Sequence, residues 1–294
     1  MTLQDFHAKI YRPLRLRGRS PETSRLYACT IRSFGRWLGH EPTLVDLADE
    51  MLLARYLDHR CQTRSPYTAE KERSQLMSMA RLANERRMIP ALPTCPPGNL
   101  PDRIPMAWSE DELRRLFAAA GSMRRHVGQV PAGDFYTTLI LTAFETGERI
   151  GALMDIEAAH YARPYLHIPG ELRKGGRRSR VYELSENLCD RLERLIAINT
   201  GRKVFDWPKT PTYLWDRLKV ILGRAGITGR RLGFQQIRRS AISHIAAAGG
   251  DPVAFAGHAQ AATTKRWYLD PRYAQRGPRP ADLLPRLDQS PRAG

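Results

Sequence analysis

Six prolines fall between Ile89 and Ala107, in the stretch IPALPTCPPGNLPDRIPMA. Proline has no N–H to donate and its ring collides with a preceding helical turn, so this stretch fits neither a helix nor a central strand. It reads as an extended linker. The 294-residue chain is thereby divided into a unit at 1–88 and a unit at 108–275, with a tail at 276–294. That length suits two domains and is ample to bury a core.

The first unit reads as all helical. Ser20-Pro21 sets a cap before a proline at the first helical position, and Leu26, Tyr27, Ile31, Phe34 and Leu38 follow as a helical stripe. Val45 to Leu57 reads as a second helix. Ser65-Pro66 opens a third, with Leu76, Met79, Ala80 and Ala83 on one side. Arg73 and Arg81 on this helix are candidate contacts for a polyanion. The second unit opens with the capping-box pattern Ser109-Glu110-Asp111-Glu112. An apolar run from Phe135 to Phe144 stops at Thr146-Gly147. Residues 165–168 and 181–184 have strand character, with Lys174-Gly175-Gly176 between them. Residues 238–248 and 261–269 read as two late helices. The fold class is mainly α with a small antiparallel sheet, an α+β chain. Pro278, Pro280, Pro285 and Pro291 disfavour a long helix in the tail.

The charge narrows the partner. Lys and Arg number 47 against 30 Asp and Glu, a net +17. Such an excess points first to nucleic acid. Residues 1–107 hold 17 of the basic and 11 of the acidic groups, so both units are basic. The four cysteines, at 29, 61, 95 and 189, form no C-x-x-C pair. They suggest neither a disulfide scaffold nor a zinc site and fit a reducing cytosol. The N-terminus lacks the apolar core of a signal peptide, and no run nears the ~20 apolar residues of a membrane span. No G-x-x-x-x-G-K-[ST] phosphate loop is present.

Five strings carry polar groups that a plain core would not require. They are Thr146-Gly147-Glu148-Arg149, the basic cluster Arg173 to Arg180, Gln235-Gln236-Ile237-Arg238, Gly257-His258, and Thr263 to Pro271 with Tyr268 inside it. In this order they resemble the tyrosine recombinase (phage integrase) family. That family carries T-G-x-R, a hairpin lysine, H-x-x-R, G-H and a tyrosine nine or ten residues further on. The likeness covers roughly residues 20–275 and includes a helical core-binding domain in front. It assigns Arg149, Lys174, Arg238, His258 and Tyr268 as catalytic residues, with Tyr268 as nucleophile.

The residue types suit the chemistry. A phosphodiester repels nucleophiles, and its transition state spreads charge over non-bridging oxygens. Two guanidiniums, Arg149 and Arg238, can clamp those oxygens. Tyr268 would form a phosphotyrosine that conserves the bond energy, so no ATP, metal or other cofactor is needed. Lys174 would protonate the leaving 5′ oxygen, whereas its neighbour Arg173 does not give up a proton. His258 would hold a phosphate oxygen or manage the tyrosine proton. Tyr273 is the rival nucleophile, and Trp267 reads as a packing anchor. Further DNA contacts are expected from Arg177, Arg178, Arg180 and Arg239. The resemblance also implies duplex DNA as partner, a 3′-phosphotyrosyl intermediate, a Holliday junction, a homotetramer on two DNA sites that is a monomer or weak dimer when free, and a cytoplasmic, nucleoid-associated protein.

Two positions depart from the family pattern. Gln235 stands where His or Lys is usual; glutamine donates hydrogen bonds but shuttles no proton, and a phosphate contact is its expected role. Ala152 replaces an acidic residue that braces the first arginine, leaving Glu148 or Glu145 as its candidate partner. A type IB topoisomerase-like relaxing enzyme and a non-catalytic DNA-binding relic are the competing readings.

Overall fold

The computed structural model describes residues 1–173, 178–199, 201–229, 232–258 and 260–274. The chain divides into two compact units, Met1–Asp102 and Arg103–Gly294. Residues 92–109 carry neither helix nor strand, as a segment short of N–H donors must.

The first unit is helical: α1 (Leu3–Phe6), α2 (Arg12–Arg15), α3 (Pro21–Leu38), α4 (Leu44–Ala48), α5 (Glu50–Thr63) and α6 (Pro66–Glu85), with a π turn over His7–Tyr11 joining the first two. The N-terminal run is an addition to the sequence reading. Thr2 caps it by accepting the Asp5 N–H, and Leu3, Phe6, His7 and Tyr11 bury one face. Its signal was masked by Pro13, which here sits in the first turn of α2, where a missing N–H costs little. The single helix expected from Val45 to Leu57 is two. Asp49 adopts extended backbone between them, and its carboxylate accepts the Leu52 N–H at 2.9 Å. A short acidic side chain satisfies a helix start better than a helix interior. Ser65 caps α6 as expected. Ile31, Phe34, Leu53, Leu76 and Met79 fill the core. Beside it, Glu72 of α6 accepts from Tyr56 and twice from Arg60 of α5.

The second unit begins with α7 (Glu110–Gly121), whose Ser109–Glu112 capping box makes both of its bonds. A small hairpin follows, β1 (His126–Val127) and β2 (Val130–Pro131). Then come α8 (Ala132–Thr146), α9 (Ile150–Met154), an antiparallel sheet of β3 (Tyr161–Ala162), β4 (Tyr165–Ile168) and β5 (Arg180–Glu183), and helices α10 (Glu186–Ile198), α11 (Pro211–Arg224), α12 (Phe234–Ala247), α13 (Pro252–Ala256), α14 (Ala261–Trp267) and α15 (Pro271–Ala274). Leu166 pairs with Tyr182 and Ile168 with Arg180 across the sheet. Leu166 and Ile168 point into a core shared with Phe135, Leu139, Leu188, Leu218 and Ile237. Helix α12 starts four residues earlier than the sequence suggested, because Gly233 supplies the extended cap. Gln235 therefore lies in its first turn. No helix among the described residues is long and apolar enough to cross a membrane.

Candidate active site

Arg238 projects from α12 and is 1% exposed, the largest fully buried side chain among the described residues. One of its terminal nitrogens donates to the Gly147 carbonyl. The other donates to the Ala256 carbonyl at 2.7 Å and to His258 Nε2 at 3.1 Å. Its Nε–H has no partner among the described residues. The guanidinium carbon lies 5.3 Å from the centre of the Tyr268 ring. One side chain thus ties the end of α8 to the end of α13 and faces the tyrosine. Burial, then the charge of Arg149, pushes its proton affinity down.

Gly147 makes the first of these links possible. It follows α8 with φ of 60°, and a Cβ there would lie 2.6 Å from Phe255 Cε1. Only glycine meets both demands at little cost. The turn it makes delivers Arg149 to the cap of α9. No hydrogen bond or ion pair to the Arg149 guanidinium occurs among the described residues. Its charge nevertheless bears on both Arg238 and His258.

The acidic neighbours do other work. Glu145 accepts from the N–H and hydroxyl of Ser185. Glu148, 2% exposed, accepts from Arg173 Nε and from the Tyr182 hydroxyl, both at 2.6 Å, and reaches only the backbone N–H of Arg149. The expected brace for the Arg149 side chain is therefore not formed by either carboxylate. Burial favours the protonated form of Glu148, but Tyr182, Arg173 and Arg238 outweigh it and hold its pKa below the usual value. Arg173 also donates to the Arg178 carbonyl at 2.9 Å. Of Glu148, Arg173 and Tyr182, only Tyr182 has no place in the sequence motifs; Glu148, the expected partner of the Arg149 side chain, meets Arg173 and Tyr182 instead.

His258 follows Gly257, a left-handed residue closely packed by Arg180 and Arg173. Arginine can only donate, so His258 Nε2 accepts from Arg238. The imidazole proton then sits on Nδ1, 2.8 Å from the buried Thr264 hydroxyl. Burial, followed by the charges of Arg238 and Arg149, pushes the pKa of His258 down to about 4. The ring is neutral at physiological pH. The unfolded chain binds this proton more readily than the folded one, so acid removes stability as pH falls from about 6.5 to about 4. Over that interval the wild-type melting temperature should fall more steeply than that of His258→Gln; parallel curves would contradict the assignment.

Tyr268 lies just past α14. Its backbone N–H and that of Leu269 both donate to the Thr264 carbonyl, at 3.1 and 3.0 Å. Gln235 Nε2 donates to the Tyr268 hydroxyl at 2.8 Å, and the His258 and Tyr268 ring centres are 4.6 Å apart. Gln235 thus meets the phenol directly, a partner that the expected phosphate contact did not foresee. Tyr273 faces elsewhere: its ring packs on His244 and its hydroxyl reaches the Trp108 carbonyl at 3.4 Å. Arg149, Gln235, Arg238, His258 and Tyr268 come together in one place. Lys174 and Arg177 lie outside the described residues, as does the tail from 275 onward.

The other basic candidates divide. Arg73 is fixed within the first unit by Glu70 and the Cys95 carbonyl. Arg180 donates to the Phe255 and Ala254 carbonyls and lies over the Tyr182 ring. Arg239 donates to Gln236 and to the Trp267 carbonyl. Arg81 and Arg178 are exposed.

No sequence-family model and no curated protein matches the chain. Solved structures do. A lambda integrase (75–356) dimer bound to a COC′ core site matches at 17% identity and TM-score 0.70, over 88% of this chain and 96% of that one. A lambda integrase tetramer bound to a Holliday junction matches at 18% identity and TM-score 0.70, over 88% and 78%. The Tn1549 transposon integrase, in complex with a circular intermediate DNA, matches at 11% identity and TM-score 0.70, over 91% and 95%. From its helical first unit to the tyrosine beyond α14, the chain has the fold of the tyrosine recombinases.

Proposed function

We propose that the chain is a site-specific DNA recombinase that cuts and rejoins strands through Tyr268, without metal or ATP. The observation that carries this reading is a buried arginine, Arg238, facing one tyrosine, with the charge of a second arginine, Arg149, bearing on it. Arg149 has no acidic partner for its guanidinium among the described residues, and the buried Arg238 keeps an unpartnered Nε–H. Two like charges held this close repel each other, and an anion between them relieves that repulsion. A phosphodiester is such an anion, and its transition state is more demanding still.

In the proposed step the Tyr268 oxygen attacks phosphorus, the new P–O bond to tyrosine forms, and the P–O bond to the 5′ oxygen breaks. Gln235 donates to the phenol oxygen and so stabilises the negative charge that builds there as its proton leaves. Neutral His258 is the base available for that proton, once its Nε2 is released from Arg238. Lys174 supplies the proton to the departing 5′ oxygen, a role that rests on the family resemblance. A 5′-hydroxyl from a partner strand then reverses the chemistry. Four protomers on two duplexes are proposed by analogy with the lambda integrase tetramer. Arg81 and Arg178, exposed and basic, are proposed backbone contacts.

The test uses duplexes selected from a random-sequence pool by the wild-type chain, nicked near the selected motif and incubated with chelator and no nucleotide. A detergent-resistant protein–DNA adduct is expected. Tight binding with no adduct would instead mark a non-catalytic DNA-binding protein, and an adduct that needs added divalent metal would overturn the arginine-only chemistry.

A further inference from the structure

Helix α12 has two working faces. Gln235 and Arg238 meet the site. Gln236, Ser240 and His244, spaced at helical intervals on another face, grip a different part of the chain. Gln236 donates to the Met106 carbonyl, Ser240 accepts the Trp108 N–H at 2.8 Å, and His244 Nε2 lies 3.0 Å from the Trp108 carbonyl. Met106–Trp108 is the stretch that leads into α7 from the proline-rich segment.

The middle residue of that stretch, Ala107, is held from the other side by Asp270, two positions beyond Tyr268. Asp270 is 0% exposed. Its carboxylate accepts the Ala107 N–H at 2.7 Å and the Arg272 N–H at 2.9 Å. It also takes a two-pronged ion pair from the Arg272 side chain, whose Nη2 turns to the Ala107 carbonyl at 3.1 Å. Asp270 and Arg272 thus hold both backbone groups of Ala107, as a neighbouring strand would. Ser243 closes the circuit. Its hydroxyl accepts the Asp270 N–H at 3.0 Å and donates to the Tyr268 carbonyl at 3.3 Å.

Burying a carboxylate is costly unless it is fully bonded. Here every bond fixes the path of the chain immediately after Tyr268. We propose that Asp270 is a positioning residue for Tyr268, and that through it Met106–Trp108 governs where the tyrosine oxygen stands. The inference rests on reading Tyr268 as the nucleophile. The Asp270 carboxylate bonds to Ala107 and Arg272 and not to the phenol, so its effect falls on the cleavage rate and not on affinity. A nucleophile displaced by about 1 Å can lose on the order of 10²-fold in rate.

The experiment measures adduct formation under single turnover, at saturating protein, on the selected nicked duplex, with the dissociation constant and melting temperature of each variant measured alongside. Asp270→Asn should cleave at least ten-fold more slowly while binding within two-fold of wild type. If its melting temperature shows that it does not fold, Ser243→Ala decides, with an expected slowing of at least three-fold at unchanged affinity. Cleavage within two-fold of wild type in the deciding variant, or a loss that only follows lost affinity, overturns the proposal. Tyr268→Phe, run beside them, separates the two readings: an adduct in that variant sinks the nucleophile assignment itself, whereas no adduct there with fast cleavage by Asp270→Asn sinks the positioning role alone.

Discussion

Arg238→Lys should slow adduct formation by roughly 10²–10³-fold, the usual effect of removing one preorganised donor from a site where charge develops. The reason is geometric. Arg238 donates to the Gly147 and Ala256 carbonyls and to His258 while presenting a further N–H beside Tyr268. A single ammonium cannot span those directions. The substitution also leaves at least one buried carbonyl without its donor, at about 1–3 kcal/mol each. Single-turnover trapping should therefore show the rate loss, and thermal unfolding a moderate fall in melting temperature. A variant that cleaves at the wild-type rate would remove Arg238 from the mechanism.

Glu148→Gln is expected to be the most destabilising change at the site. It leaves the Arg173 guanidinium, whose side chain is 9% exposed, without a counter-charge. Removing one partner of a buried ion pair costs roughly 3–5 kcal/mol. For a unit of this size, about 3 kcal/mol lowers the melting temperature by roughly 6–12 °C. Adding Arg173→Met should recover part of the loss, because the stranded charge is gone. Equal melting of the single variant and wild type would show that the pair contributes nothing. So would a double variant worse than the sum of its parts, since it would place the coupling elsewhere.

Much of this was legible beforehand, for identifiable reasons. The Ser109–Glu112 box, the Ser65 cap, the strands around 165–168 and 181–184, and the order of the five polar strings all depend on short-range chemistry. What escaped depended on partners far apart in sequence. Nothing near Arg180 announces that its donors go to Phe255 and Ala254, over seventy positions away. Arg73 looked like an outward-facing cation on a basic helix, yet Glu70 and the Cys95 carbonyl hold it inward. At the two positions that depart from the family pattern, Ala152 and Gln235, the structure shows partners other than those expected. Glu148 is bound to Arg173 and Tyr182, not to the Arg149 side chain, and Gln235 meets the tyrosine oxygen. In the sequence Asp270 is one residue of the closing string, and its role appears only where Ala107 is brought against it.

The most direct test of the central claim is covalent trapping on the selected nicked duplex with wild type, Tyr268→Phe and Tyr273→Phe side by side. Phenylalanine at 268 keeps the ring against Arg238 and His258 and removes only the attacking oxygen. The expected result is a stable adduct with wild type and with Tyr273→Phe, and none with Tyr268→Phe. An adduct that persists in Tyr268→Phe and disappears in Tyr273→Phe would contradict the assignment.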